Sequence, residues 1–164
     1  MRAVRACGLA VSALLCSAAA VPEGVSLFRG GIERRGGDGL IPDAVEAVWR
    51  FKAGGIVNCD TIPAGERVYA AAESGRLYCL DAADGDEIWR FDAQHDDLST
   101  PAVAGGRIWF SSSLREYSVA GGELRREDRA VLYCLDAETG KEIWKKRFPG
   151  RILAAPAVSG GRLF

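Results

Sequence analysis

Cys79-Leu80-Asp81-Ala82-Ala83-Asp84-Gly85-Asp86-Glu87-Ile88-Trp89 returns 55 residues later as Cys134-Leu135-Asp136-Ala137-Glu138-Thr139-Gly140-Lys141-Glu142-Ile143-Trp144. Both stretches place the end of an apolar run, an aspartate, a glycine and a tryptophan at the same intervals. The aspartate ends the run where its carboxylate can accept backbone N–H bonds from a turn. The glycine supplies the left-handed position of that turn. Four residues on, the tryptophan falls on an outer strand, where its ring can cover a neighbouring element while its indole N–H finds a carbonyl. The run itself, Leu77 through Leu80, is apolar at consecutive positions, so both faces of that strand are expected to be buried.

The repetition extends outward from this stretch. Pro101-Ala102-Val103 with Gly105-Gly106-Arg107 returns as Pro156-Ala157-Val158 with Gly160-Gly161-Arg162, again at 55 residues. Upstream the offset is 40: Trp49-Arg50-Phe51 matches Trp89-Arg90-Phe91, and Arg67-Val68-Tyr69 matches Arg107-Ile108-Trp109. The two periods agree if the second unit carries 15 extra residues, at 114–128. A basic period of 40 is that of a propeller blade. Each unit reads as four strands: A at 61–64, 101–104 and 156–159; B at 67–72, 107–112 and from 162; C at 76–81 and 131–136; D at 87–91 and 142–148. The predicted fold is all-β, a β-propeller of four-stranded antiparallel blades, with about two complete blades forming an open arc. The chain divides into a signal segment at 1–20, a glycine-rich lead-in at 21–45 and repeats at 46–164. Within the repeats lie a leading outer strand at 47–52, a blade at 57–91, a blade at 99–148 and the start of another at 154–164. The leading strand has no A, B or C partner before it, so the chain is expected to be incomplete and Trp49 to be poorly packed.

Residues 1–20 read as a secretory signal. Arg2 and Arg5 form a positive start, Ala6 to Cys16 is apolar, and Ala18-Ala19-Ala20 offers small residues for cleavage. The apolar stretch is too short for a membrane span, although left uncleaved it has helical propensity. Lipidation at Cys16 is disfavoured because Leu15 stands where a small residue is expected. Cleavage after Ala20 moves the formal charge from −1 to −3 and leaves Cys59, Cys79 and Cys134. Three cysteines without a vicinal pair are no disulfide framework; Cys79 and Cys134 read as small buried side chains. With 21 Lys and Arg against 22 Asp and Glu, nothing points to nucleic acid or an anionic membrane. The expected location is extracytoplasmic, periplasmic or secreted.

No nucleophile–base pair, CxxC, phosphate loop or metal-spaced cluster occurs in the sequence, so no catalytic or metal residue is assigned. His95, the sole histidine, lies in Gln94-His95-Asp96-Asp97 between strand D and the next strand A, and reads as a solvated turn residue. Asp96 and Asp97 lack the dense acidic alternation of calcium loops. The insertion carries Arg115, Glu116, Glu123, Arg125, Arg126, Glu127 and Asp128, with Arg129 just after it. Mixed charge of that density describes a solvated hairpin extension. Strands alternate in direction, so the B–C and D–A loops share one face of the disc. His95, Asp96, Asp97, Arg115, Arg125 and Arg126 are therefore the candidate binding face.

The two quoted stretches resemble the tryptophan-docking motif of PQQ-type (pyrroloquinoline-quinone-type) propeller repeats, with Cys79 and Cys134 where alanine is usual. The resemblance covers about residues 45–164, and it makes Asp81, Gly85, Trp89, Asp136, Gly140 and Trp144 a structural docking motif. Phe28-Arg29-Gly30 is similar to an element preceding the first blade in exported members. The resemblance implies one of two roles. The first is a non-catalytic binding or assembly scaffold for a protein or carbohydrate partner, as in the propeller lipoprotein that assists outer-membrane protein insertion. The alternative is a quinoprotein dehydrogenase oxidising alcohols or sugars with PQQ and calcium. That enzyme class also carries adjacent cysteines and a carboxylate–amide calcium site, and these 164 residues show neither. The scaffold is the expected role, with no cofactor evident.

Overall fold

The computed structural model describes residues 10–11, 47–57, 59–120 and 122–164. Cys16, Phe28-Arg29-Gly30 and the lead-in lie outside the described residues. The described part of the apolar N-terminal stretch is extended rather than helical. It forms β1 (Ala10–Val11), which pairs antiparallel with β2 (Phe51–Lys52).

Every other element among the described residues is also a β-strand. The first blade is β3 (Ile62–Ala64), β4 (Arg67–Ala72), β5 (Arg76–Asp81) and β6 (Glu87–Asp92), antiparallel and in that spatial order. After β7 (Asp97–Leu98), the second blade is β8 (Ala102–Ala104), β9 (Arg107–Ala120), β10 (Glu123–Asp136) and β11 (Glu142–Pro149). A further hairpin follows, β12 (Val158–Ser159) and β13 (Arg162–Leu163). Gly105 and Gly106 turn β8 into β9 with φ of 54° and 70°. A two-residue turn with positive φ at both positions matches the twist of the strands it joins, and glycine adopts it without steric cost.

The main core lies between the two blades. Ile62, Tyr69, Leu77 and Cys79 of the first face Phe110, Val131, Tyr133 and Leu135 of the second. Phe91 meets Phe110 edge-on at 5.9 Å, and Phe110 stacks on Tyr133 at 5.1 Å. A second cluster, with Trp49, Val68, Tyr78 and Leu80, covers the other side of the first blade. The central strand β5 is thus buried on both faces: Leu77, Cys79 and Leu80 are fully enclosed and Tyr78 is 3% exposed.

Two expectations are corrected. Trp49 is not poorly packed but only 8% exposed. The reason is the direction of docking: the tryptophan of each D strand covers the C–D turn of the following blade, and the turn that follows Trp49 is present. Trp144, by contrast, is 38% exposed. The loop after β6 is also more than a solvated turn. Asp97–Leu98 forms β7 against Ser112 and Ser113 of β9, because Leu98 is drawn into the core at 4% exposure.

Residues 114–128 continue the B and C strands without interruption. β9 and β10 pair in register from Arg107↔Asp136 to Ala120↔Glu123. Beyond the blade this pair is a two-stranded ribbon, with Tyr117 54% and Val119 73% exposed.

Candidate functional site

The inter-blade joint is built from the repeated motif. At its turn, the Asp136 carboxylate accepts the backbone N–H of Glu138 (3.1 Å) and of Thr139 (2.8 Å), and the Thr139 hydroxyl (2.8 Å). These bonds, the Thr139 hydroxyl foremost, hold the Asp136 carboxyl below the usual carboxylate range. Asp81 accepts the Ala83 N–H at 2.7 Å in the equivalent turn. Gly140 has φ +68°, and a β-carbon there would stand 2.6 Å from the Trp89 ring. Gly85 has φ +79° and the same relation to Trp49, at 2.4 Å. Each ring therefore lies flat on the glycine of the next turn, where any side chain would push it away. The indole N–H groups donate to turn carbonyls, Trp49 to Ala82 at 2.9 Å and Trp89 to Ala137 at 3.3 Å.

The Ala137 carbonyl is shared. Tyr69 donates its hydroxyl to it at 3.2 Å, and Arg67 reaches it at 2.8 Å while also donating to Glu138 O at 2.9 Å. Burial, foremost, pushes the Tyr69 hydroxyl up to about 12, so it stays a donor. Sequence reasoning missed Arg67 and Tyr69 as joint residues. A signal was present: arginine opens strand B in every unit, at Arg67, Arg107 and Arg162.

The loop face brings together only some of its candidates. Gly75 of the first B–C turn lies against the D–A loop: the Ala93 N–H donates to Gly75 O at 2.7 Å, and a β-carbon on Gly75 would stand 3.1 Å from His95 O. Asp96 and Asp97 line a recess of about 480 Å³ with Glu73, Arg151 and Leu153. Asp97 is ion-paired with Arg151 of the next D–A loop. His95 turns to a separate cleft of about 330 Å³, together with Arg129 and Arg147. Burial, foremost, and the two guanidinium groups lower its basicity, against Asp96 and Glu116, which raise it. Arg115 and Arg126 sit out on the exposed ribbon, where Arg126 holds Asp128 at 2.8 Å. Arg125 is paired across the ribbon with Ser118; its side chain lies outside the described residues.

The three described thiols are not poised for chemistry. Cys59 donates to Leu98 O at 2.8 Å, and burial, aided by Asp97, Asp60 and Glu73, pushes it up to about 11. Cys79 and Cys134 are buried free thiols, also shifted up by burial. Among the described residues, no group of three or more His, Cys, Asp and Glu is placed to hold a metal ion. The described B–C and D–A loops bring charged and hydrogen-bonding groups together.

Comparison with known proteins agrees with this architecture. The family model described as outer membrane protein assembly factor BamB matches residues 42–126 and 117–164. The outer membrane protein assembly factor BamB of Salmonella typhimurium is 33% identical over 99 residues, covering 57% of this chain and 23% of that protein. A polyvinylalcohol dehydrogenase of Sphingopyxis is 32% identical over 98 residues, covering 59% of this chain and 14% of that protein. The chain thus spans less than a quarter of the length of either relative. Among solved structures, a quinohemoprotein alcohol dehydrogenase from Pseudomonas putida HK5 superposes with a TM-score of 0.50 at 23% identity, over 71% of this chain and 18% of that one, a likeness of fold. The repeat register, the docked tryptophans and the family match lead to one assignment: the chain belongs to the PQQ-like repeat β-propeller family whose model is described as outer membrane protein assembly factor BamB.

Proposed function

We propose that the chain is part of an extracytoplasmic, non-catalytic scaffold that presents its loop face to a protein partner. The observation that carries this reading is the family match over 42–164, to a model described by an assembly factor. The site chemistry supports it: the loop face offers ion pairs and exposed arginines, while the described thiols are protonated and buried or half-buried. The signal-like composition of residues 1–20 supports export, and no helix among the described residues is long and apolar enough to cross a membrane.

A second reading is favoured by the polyvinylalcohol dehydrogenase relative, whose identity to this chain is nearly that of the assembly factor. In that reading the loops would serve a PQQ- and calcium-dependent oxidation. The described residues do not fit the metal: no group of three or more His, Cys, Asp and Glu among them is placed to hold one, and no catalytic step is assigned to them. The deciding assay is dye reduction by the purified full-length protein with added PQQ and calcium, over a panel of alcohols and aldoses. The scaffold reading predicts no PQQ-dependent turnover. Reproducible turnover would replace it with the dehydrogenase.

A further inference from the structure

His95 lies in the connection between β6 and β7, yet its neighbours come from the outer end of the second blade. It shares the 330 Å³ cleft with Gln94, Arg129, Val131 and Arg147. The loop is held in place: the Gln94 N–H donates to the Tyr133 hydroxyl at 2.9 Å, and Tyr133 is itself a core residue, 2% exposed. Val131 is paired with Arg147 across β10 and β11, which sets the Arg147 side chain on the face turned toward the first blade. Arg129, two residues along, shares that face.

The charges are unequal in their commitments. Arg129 is engaged by Glu127 at 3.1 Å and Glu116 at 3.8 Å. The Arg147 guanidinium forms no ion pair or hydrogen bond with another described residue. An uncommitted guanidinium beside an imidazole, above a small apolar floor, is a receptor for one planar anion. A guanidinium fork matches a carboxylate with two parallel hydrogen bonds. One spare cation among the described residues, beside a histidine whose basicity is lowered first by burial, is too little charge for a phosphate dianion, whose extra charge would stand against Glu116 and Asp96.

We propose that this cleft is a carboxylate-binding site that receives an acidic side chain of a protein partner, with Arg147 as the principal ligand and His95 as a hydrogen-bonding neighbour. The partner rests on the scaffold reading; the anion site does not. Among the described residues, the charged groups that act on His95 are Asp96 from its own loop, Glu116 from β9, Arg129 from β10 and Arg147 from β11, the two arginines lining the same cleft.

His95 is the only histidine, so its imidazole proton gives a single isolated NMR signal in the full chain. The probe is a capped tetra-aspartate peptide at low salt, with inorganic phosphate and a capped tetra-lysine peptide in parallel. The expected result is a saturable shift of the His95 signal with tetra-aspartate alone, accompanied by a rise in the imidazole pKa. Arg147→Gln should weaken that binding at least about tenfold, the loss of one charge-assisted pair. Without any peptide, the same variant should raise the His95 pKa, because a positive neighbour is gone. Lys141→Gln, in the exposed C–D turn at the opposite end of the second blade, should leave binding unchanged. No saturable shift, equal binding by Arg147→Gln, or tighter binding of phosphate than of the peptide would each overturn the proposal. PQQ-dependent turnover in the dye assay would remove the scaffold reading while leaving these titrations as they stand.

Discussion

Gly140 and Gly105 both need left-handed backbone, yet their surroundings differ. A β-carbon at Gly140 meets the Trp89 ring at 2.6 Å, while at Gly105 it meets nothing within 4 Å. Gly105→Ala should therefore cost only the backbone term, about 1 kcal/mol. Gly140→Ala adds displacement of a packed ring, for a total of about 2–4 kcal/mol. Urea unfolding of the two variants checks this, and equal losses would mean the ring does not rest on the glycine. The neighbouring Asp136 makes a prediction in pH. Its folded pKa is lowered, so its contribution to stability is present above the unfolded carboxylate pKa and is lost as pH falls through the folded value. Thr139→Val removes the leading cause. The Asp136 resonance should then titrate at higher pH, and acid destabilisation should begin earlier. These residues were legible in the sequence because the motif occurs twice at fixed spacing. Arg129 and Arg147 were not, since their approach to His95 crosses three elements and leaves no interval in the chain.

The strands show the same division between what repeats and what does not. β4, β5, β9 and β10 could be placed from their glycine turns and apolar runs. β7 could not, because it has two residues, no copy elsewhere, and pairs only because Leu98 is buried against the second blade. The ribbon of β9 and β10 was readable as a surplus over the period, and its continuous register shows why it is tolerated: no blade strand is displaced by it. Replacing 115–128 with Asn-Gly would close the hairpin between Leu114 and Arg129, which already face each other. The expected change in stability is below about 1 kcal/mol, since none of the described side chains removed belongs to the core. Thermal melts of the full chain carrying this deletion check it; a loss of several kcal/mol would place the ribbon in the folding core rather than on the loop face.

Across the whole molecule, the blades are joined in one direction. Trp49 sits on the first C–D turn and Trp89 on the second, while Trp144 is 38% exposed. Spacing alone equates the three tryptophans and is silent on which neighbour each covers, which is why Trp49 was expected to be loose. In the chain of residues 21–164, Trp89→Ala should cost about 3–5 kcal/mol, the range for a buried aromatic. Trp144→Ala should cost less than about 1 kcal/mol there. Unfolding curves in urea, read by circular dichroism, rank the two. Similar losses would show that docking does not run from each blade to the next.

The most direct measurement of that joint is a double-mutant cycle between Trp89→Ala and Gly140→Ala in the full chain. If the ring lies on the glycine, the added methyl is costly only while the ring is present. The two losses should then fall short of additivity by at least about 1 kcal/mol. Additivity within about 0.5 kcal/mol would contradict the account, because it would mean that Trp89 and the turn of the next blade do not touch.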